Sequence, residues 1–545
     1  MFKRPFLLVL LLIVVILNVA YAEFNVRQIA QSLDDNETNF AKKRVLLVPL
    51  DSRPPCKDFV IDAAQIANVE VITPENKLLD YFTIPGEPLK LRQWLISNVD
   101  GVDAIIISID QLLYGGLIAA REGNLNDDDI ASLEKYLIDL RKNAPNTPIY
   151  AFSILPRMQP QQSIDNYQQR RAMMAYSRLR GRAYSGLHVD DESMVEAFNE
   201  IKPENLDNYI SHFEECEKLN KCLINLTQEG TLNRLIIGLD DGEKYSIQNE
   251  FVDNLLRIIS NNNAADKISL IHGADEISLT LLAEIVNRNI TNNLKVCVQY
   301  NNSEVPSKVL PYMAIPIKDV INEKISQLNL KIVDNPAEAD FTLFVSVNDE
   351  NNIDNKISSA NRIDNLIESD IKVALVDLSW HFDKNETLLP VLIDRGLSVN
   401  SLIAYAGWNT ASNSIGTAIS QAILYNTNHN DIENLKFLNQ RFLEDQFYLK
   451  DVIDTVNHAL KNQGSYDTSY LDYGTEYEFA TLVMKTVMES RIADYKNSEA
   501  FKRPIKIKLN DRFHEIRLKD FEVDMNYPWP RTFEIRLKIN EIKAS

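Results

Sequence analysis

Four carboxylates in two adjacent pairs are the residues of this sequence best placed to do chemistry. Asp240-Asp241 closes the apolar run RLIIGL, and Asp275-Glu276 closes ISLIHGA. Crowded like charges repel, so at least one of these groups keeps its proton to higher pH unless a cation or donor compensates. One carboxyl held protonated near one held ionised is the requirement for general acid–base hydrolysis, as at a glycosidic bond. For any single residue the alternative is helix capping, in which a carboxylate accepts backbone N–H groups at a helix start. Four together favour a site. The expected reactive pair is Asp240 with Glu276, with Asp241 and Asp275 orienting substrate or neighbours.

Three further segments supply groups for binding. PLDSRPPC leaves Asp51 and Arg53 at the end of the first strand-like run, the prolines stiffening the turn. An arginine there either orients the acid or binds an anionic group through two parallel bonds. SIDQLLYGG places Asp110 at a run end, followed by Gly115-Gly116. YAGWNTASNSIGT offers Trp408 as an apolar platform beside Asn409, Thr410 and Asn413, a combination suited to a sugar ring with its hydroxyl rim. A buried structural tryptophan is the other reading.

The leading expectation is therefore a carbohydrate hydrolase that needs no cofactor. One alternative is a metal-dependent phosphoester or amide hydrolase, with Asp51, Asp110, Asp240, Asp241 and Asp275 as oxygen ligands of a divalent cation and His272 as a nitrogen ligand. Another is a non-catalytic periplasmic sugar-binding protein. The sequence has no G-x-S-x-G elbow and no glycine spacing of a phosphate loop.

These groups need strands to position them. Eleven strand-like runs alternate with helix-like segments such as Ile277, Leu281, Ile285 and Ile415, Ile419, Ile423. Alternation of this kind predicts an α/β fold with parallel strands. Eleven runs exceed a plain eight-stranded barrel, so the expected architecture is two doubly wound, mostly parallel sheets, with an elaborated β/α barrel as the alternative. The expected division is a first domain at 44–293 with a helical insertion at 157–230, a second at 294–430, and an α+β appendage at 431–545. Asp51, Asp110, Asp240 and Asp275 should then share a cleft bordered by Trp408. Arg157, Arg170, Arg171, Arg178, Arg180 and Arg182 form a basic run in the insertion, read as a solvated helix face or as a wall for an anionic substrate.

The first 22 residues carry Lys3 and Arg4, a long apolar run and Ala20-Tyr21-Ala22, the pattern of a cleaved secretory leader. The expected location is secreted or periplasmic, with no stable membrane anchor after cleavage. A net charge of -20 opposes binding to nucleic acid or anionic lipid, which leaves a carbohydrate or cell-wall fragment as the expected partner. An oxidising compartment makes Cys216 and Cys222 a candidate disulfide.

The ordered set PLDSRP, SIDQLLYGGL, GLDD, GADE and YAGWNTASNSIGT resembles an uncharacterised bacterial family, domain of unknown function 4127, over about Arg44 to Leu424. That resemblance implies no particular reaction. HGADE is also similar to the HxGGDE strand end of β-hexosaminidases, with the His one residue closer and Ala274 in place of a glycine. This second resemblance implies Asp275 as the orienter of an acetamido group and Glu276 as the general acid.

Overall fold

The computed structural model describes residues 42–161, 164, 166–288, 293–509 and 512–545; the leader expected at 1–22 lies outside them. Six apolar runs form one open sheet: β1 (Lys43–Val48), β2 (Val69–Ile72), β3 (Ala104–Ser108), β4 (Ile149–Leu155), β5 (Arg234–Leu239) and β6 (Ile268–His272). Its order is β2-β1-β3-β4-β5-β6 and every pair is parallel. Residues such as Ile105, Ile106 and Ile107 are buried on both faces, which is why these runs are apolar throughout rather than alternating.

Five more strands form a second parallel sheet: β7 (Lys295–Tyr300), β8 (Lys331–Ile332), β9 (Phe341–Val347), β10 (Val373–Leu378) and β11 (Ala404–Ala406), in the order β11-β10-β9-β7-β8. Two open sheets set the barrel alternative aside. In each, the chain reverses direction across the sheet beside its first strand, and such crevices at carboxyl ends are where open α/β sheets bind ligands.

The sheets share one core. Helix Ile277–Asn287 is buried along its whole length, and the first fourteen residues of helix Ala411–Asn428 are buried as well. Both lie between the sheets, and the apolar cluster runs continuously from Val45 and Phe152 through Leu281 and Ile419 to Leu343 and Val376. The close seam between these helices needs Gly416, where a Cβ would lie 2.5 Å from Glu276 Cγ.

The insertion contains helices Tyr167–Tyr184, Asp191–Asn199 and Pro203–Gln228. Two of its arginines are internal pins: Arg178 makes a two-pronged bond to Glu243, and Arg180 pairs with Glu250. The expected disulfide does not form. Cys216 and Cys222 lie six residues apart on the single helix Pro203–Gln228 and both thiols are free. That spacing separates them by ~9 Å of rise and turns them onto different faces.

After residue 430 the chain continues through helix Asp431–Arg441, a π-helical stretch Phe442–Val452, helices Ile453–Asn462 and Glu476–Asn497, and two antiparallel hairpins. The hairpins pair β12 (Ile505–Leu509) with β13 (Arg512–Ile516) and β14 (Leu518–Asn526) with β15 (Arg536–Ala544). This α+β tail also reaches the segment after β1. Arg536 pairs with Asp58, and Trp529, between β14 and β15, donates from its indole N–H to Ser52 Oγ at 3.0 Å. Among the described residues no helix is long and apolar enough to cross a membrane.

Candidate active site

The carboxyl ends of β1, β4, β5 and β6 open into a cavity of about 480 Å³. Arg53, Arg157, Asp240, Asp241, His272 and Asp275 line it from the first sheet. Asn409, Thr410, Ser412 and Asn413, which follow β11, form the facing wall, and Ser469, Trp529, Arg531 and Phe533 close it from the tail. Three parts of the chain therefore build one site.

At the end of β1, Arg53 folds back on Asp51. Its Nε and Nη2 lie 2.9 and 2.6 Å from Asp51 Oδ2, and Nη2 also reaches Asp275 Oδ1 at 2.6 Å. Asp275 Oδ2 accepts from Asn413 Nδ2 at 3.2 Å, which joins the first half of the chain to the second. Burial lifts the Asp275 carboxyl above its ordinary range, with Arg53 opposing. Asp51, Cys56 and Asp275 place three donor atoms within 4.8 Å of one another, a set with the chemistry of a cation site. As they stand they fit a metal poorly, because the Arg53 guanidinium already bonds both carboxylates and burial pushes the Cys56 thiol up. Among the described residues the wider set of acids expected from the sequence does not meet as metal ligands. Asp110 is buried behind the cavity and its Oδ2 accepts the Ile154 N–H at 3.0 Å.

The acids after β5 are the ones that face the cavity as neighbours. The strand ends at Leu239, so the alternation of side chains relaxes and Asp240 and Asp241 both line the space. Arg121 grips Asp240 Oδ2 through Nε at 2.9 Å and Nη2 at 2.5 Å, and the Asp241 N–H donates to Asp240 Oδ1 at 2.9 Å. Burial pushes Asp240 up, but Arg121 and Arg157 more than offset it and hold the carboxyl below the usual range. Asp241 has no such grip. Burial, and then the charge of Asp240, push it up to about 7. At weakly acidic pH one carboxyl thus favours the ionised form while its neighbour favours the protonated one.

Two expected site residues stand elsewhere. Glu276 is buried at the seam of the sheets, where Lys324 Nζ lies 2.6 Å from its Oε1, and it does not line the cavity. The strand has already turned into helix Ile277–Asn287 at this point, and Gly273, at φ 118°, wraps the backbone around the Glu276 carboxyl. The reactive pairing of Asp240 with Glu276 is therefore not what the fold assembles. Trp408 is 3% exposed and packs edge-on against Phe59 and Phe533, so it is a core residue and not a sugar platform. Its neighbour Asn409 does line the cavity, at φ 53°.

Aromatic side chains that the sequence reading passed over take that place. Phe82, Tyr312 and Phe382 line the cavity, and all three have positive φ, at 54°, 65° and 58°. The left-handed region is costly for bulky residues, by about 1–2 kcal/mol each. Of the eight non-glycine residues with positive φ among those described, the four outside the cavity are Asn68, Asn329, Asp370 and His429, types that accept this conformation readily. The strained aromatic backbones gather at the cavity. His272 also lines it, its Nδ1 held 3.0 Å from Glu323 Oε1. Arg121, Arg157, Trp529 and Arg531 were legible only weakly: Arg121 follows the Gly115-Gly116 turn, and Trp529 lies between two prolines.

The family described as "Protein of unknown function (DUF4127)" matches residues 45–538, and the chain belongs to it. The match reaches well past Leu424 and takes in Trp529 and Arg531, in accord with a tail that completes the cavity. No curated protein matches the chain.

Proposed function

We propose that this protein is an exported hydrolase that cleaves a glycosidic bond in a carbohydrate or cell-wall fragment. Asp241 is the general acid that protonates the leaving oxygen. Asp240 is the ionised carboxylate that faces the positive charge developing on the sugar, and water then adds to the anomeric carbon and returns a proton to Asp241. The observation that carries this reading is the unequal setting of two consecutive aspartates in one cavity, Asp240 gripped twice by Arg121 and Asp241 without that grip, which accords with a carboxyl pushed up to about 7 beside one held low. The half-buried Phe82 and Phe382 supply apolar surface for a ring, and Asn409 and Asn413 supply amide groups for its hydroxyls. Asp275, fixed by Arg53 and Asn413, orients the substrate.

The test is turnover of a glycan panel by the parent, Asp241→Asn and Asp240→Asn, with folding checked by circular dichroism. Each variant should lose about 10²–10⁴-fold in rate. Near-parental turnover by both would end the mechanism. The competing metal-dependent hydrolase finds little support in the Asp51, Cys56 and Asp275 donor set, whose carboxylates Arg53 already holds. Stoichiometric metal in the purified protein, with activity lost to a chelator and regained on adding the ion back, would replace the glycosidase reading with that one.

A further inference from the structure

We propose that Arg157 and Gln159 form a subsite for a sugar carrying a carboxylate, so that the substrate is an acidic glycan. The inference rests on the glycosidase reading for what is bound, and on an independent feature for its charge. Among the described residues four arginines line the cavity, and three are engaged. Arg53 is held by Asp51 and Asp275, Arg121 by Asp240, and Arg531 by Glu534 through two bonds. Arg157 makes no ion pair or hydrogen bond among the described residues, although it is largely withdrawn from solvent. A guanidinium in such a place is not satisfied by the protein and keeps its planar set of donors for a ligand.

Its neighbourhood adds the complement. Gln159, two residues on along the same loop, also lines the cavity, and among the described residues its buried amide oxygen has no hydrogen-bond partner. An unpaired buried acceptor is unfavourable, and a donor on a ligand removes that cost. A cationic donor beside an orphaned acceptor matches a carboxylate and an adjacent hydroxyl, the groups that a uronic acid presents on one ring.

Charge magnitude separates a carboxylate from a phosphate monoester. Asp240 and Asp241 line the same cavity as Arg157, and the negative charge already there favours a ligand that adds one charge over a ligand that adds two. Burial, and then the repulsion of Arg121, pull Arg157 down to about 10, so it remains a cation at neutral pH.

Binding is measured by calorimetry on the full chain carrying Asp241→Asn, so that no substrate is consumed. The probes are trigalacturonic acid, neutral galactotriose and glucose 6-phosphate, each with and without Arg157→Gln. The expected result is binding of trigalacturonic acid at least tenfold tighter than galactotriose, with the difference erased by Arg157→Gln and partly restored by Arg157→Lys. Equal affinity for the acidic and neutral trisaccharides, no binding of either, or a preference that survives Arg157→Gln overturns the proposal. Preference for glucose 6-phosphate overturns the carboxylate assignment. Turnover keeps the two readings apart. Tight, Arg157-dependent binding with no cleavage of any acidic glycan by the parent would keep the subsite and end the glycosidase. Cleavage of neutral glycans unaffected by Arg157→Gln would do the reverse.

Discussion

Lys324 and Glu276 form an ion pair across the two halves of the chain, Nζ 2.6 Å from Oε1, with both side chains out of reach of solvent. Breaking such a pair from one side leaves an uncompensated buried charge, at a cost of about 3–5 kcal/mol. Lys324→Met should therefore lower the urea midpoint sharply, and Lys324→Met with Glu276→Gln should recover much of the loss. Activity per folded molecule should survive in the double variant, because neither group faces the cavity. A double variant that folds but is inactive would return Glu276 to the catalytic machinery.

The aromatic residues divide in the opposite sense. Trp408→Ala removes a buried core ring and should destabilise by about 3–5 kcal/mol without changing KM for the folded fraction. Phe382→Gly releases the strain of a bulky residue at φ 58° and takes away cavity surface. It should leave the melting temperature equal or higher while affinity for a sugar falls roughly fivefold or more. Unchanged affinity in the Phe382 variant would remove the aromatic rim from the binding account.

Much of the fold was legible because parallel strands buried on both faces must be apolar throughout, and runs such as DAIIISID and DFTLFVSV announce themselves. Strand ends followed by Asp240 and Asp275 also pointed to the cavity, whereas Asp51, expected to share it, is buried beneath Arg53 and does not line it. What the sequence could not give was direction and pairing. Asp275 and Glu276 are neighbours like Asp240 and Asp241, yet the chain enters a buried helix directly after Glu276 and turns that carboxyl toward Lys324, 48 residues on. Trp408 has the same local context whether it faces solvent or core, and only the packing of Phe59 and Phe533 against it decides. Contacts such as Trp529 with Ser52 span 477 residues and leave no local signature.

Asp110 gives a pH test that is independent of any substrate. Burial raises its carboxyl from an ordinary 3.8 to about 7, so the folded state favours the neutral form. Its contribution to stability is complete below about pH 4, the unfolded value, and is lost as pH rises through 7. Asp110→Asn keeps an acceptor for the Ile154 N–H and has nothing to ionise. The variant should match the parent at pH 4 and exceed it at pH 8 by about 1–3 kcal/mol in urea titrations. A constant difference across that range would show that Asp110 does not titrate as the fold implies.

The grip of Arg121 on Asp240 predicts the acid side of the activity profile. In the parent, burial alone would make Asp240 take up a proton readily, and Arg121 prevents it, so Asp240 stays ionised well into acid. The rate should then fall on the basic side as Asp241 loses its proton near 7, and fall on the acid side only below the ordinary carboxylate range. Arg121→Met removes both bonds to Asp240 Oδ2 and leaves only Arg157 and the Asp241 N–H to oppose the upward push of burial. The acid limb of kcat/KM should move up by at least one pH unit, and Arg121→Lys, which restores the charge without the two-pronged geometry, should return it part of the way. A purely structural role for Arg121 would lower the rate evenly across pH and leave the limb in place, and that result would detach Asp240 from the chemistry.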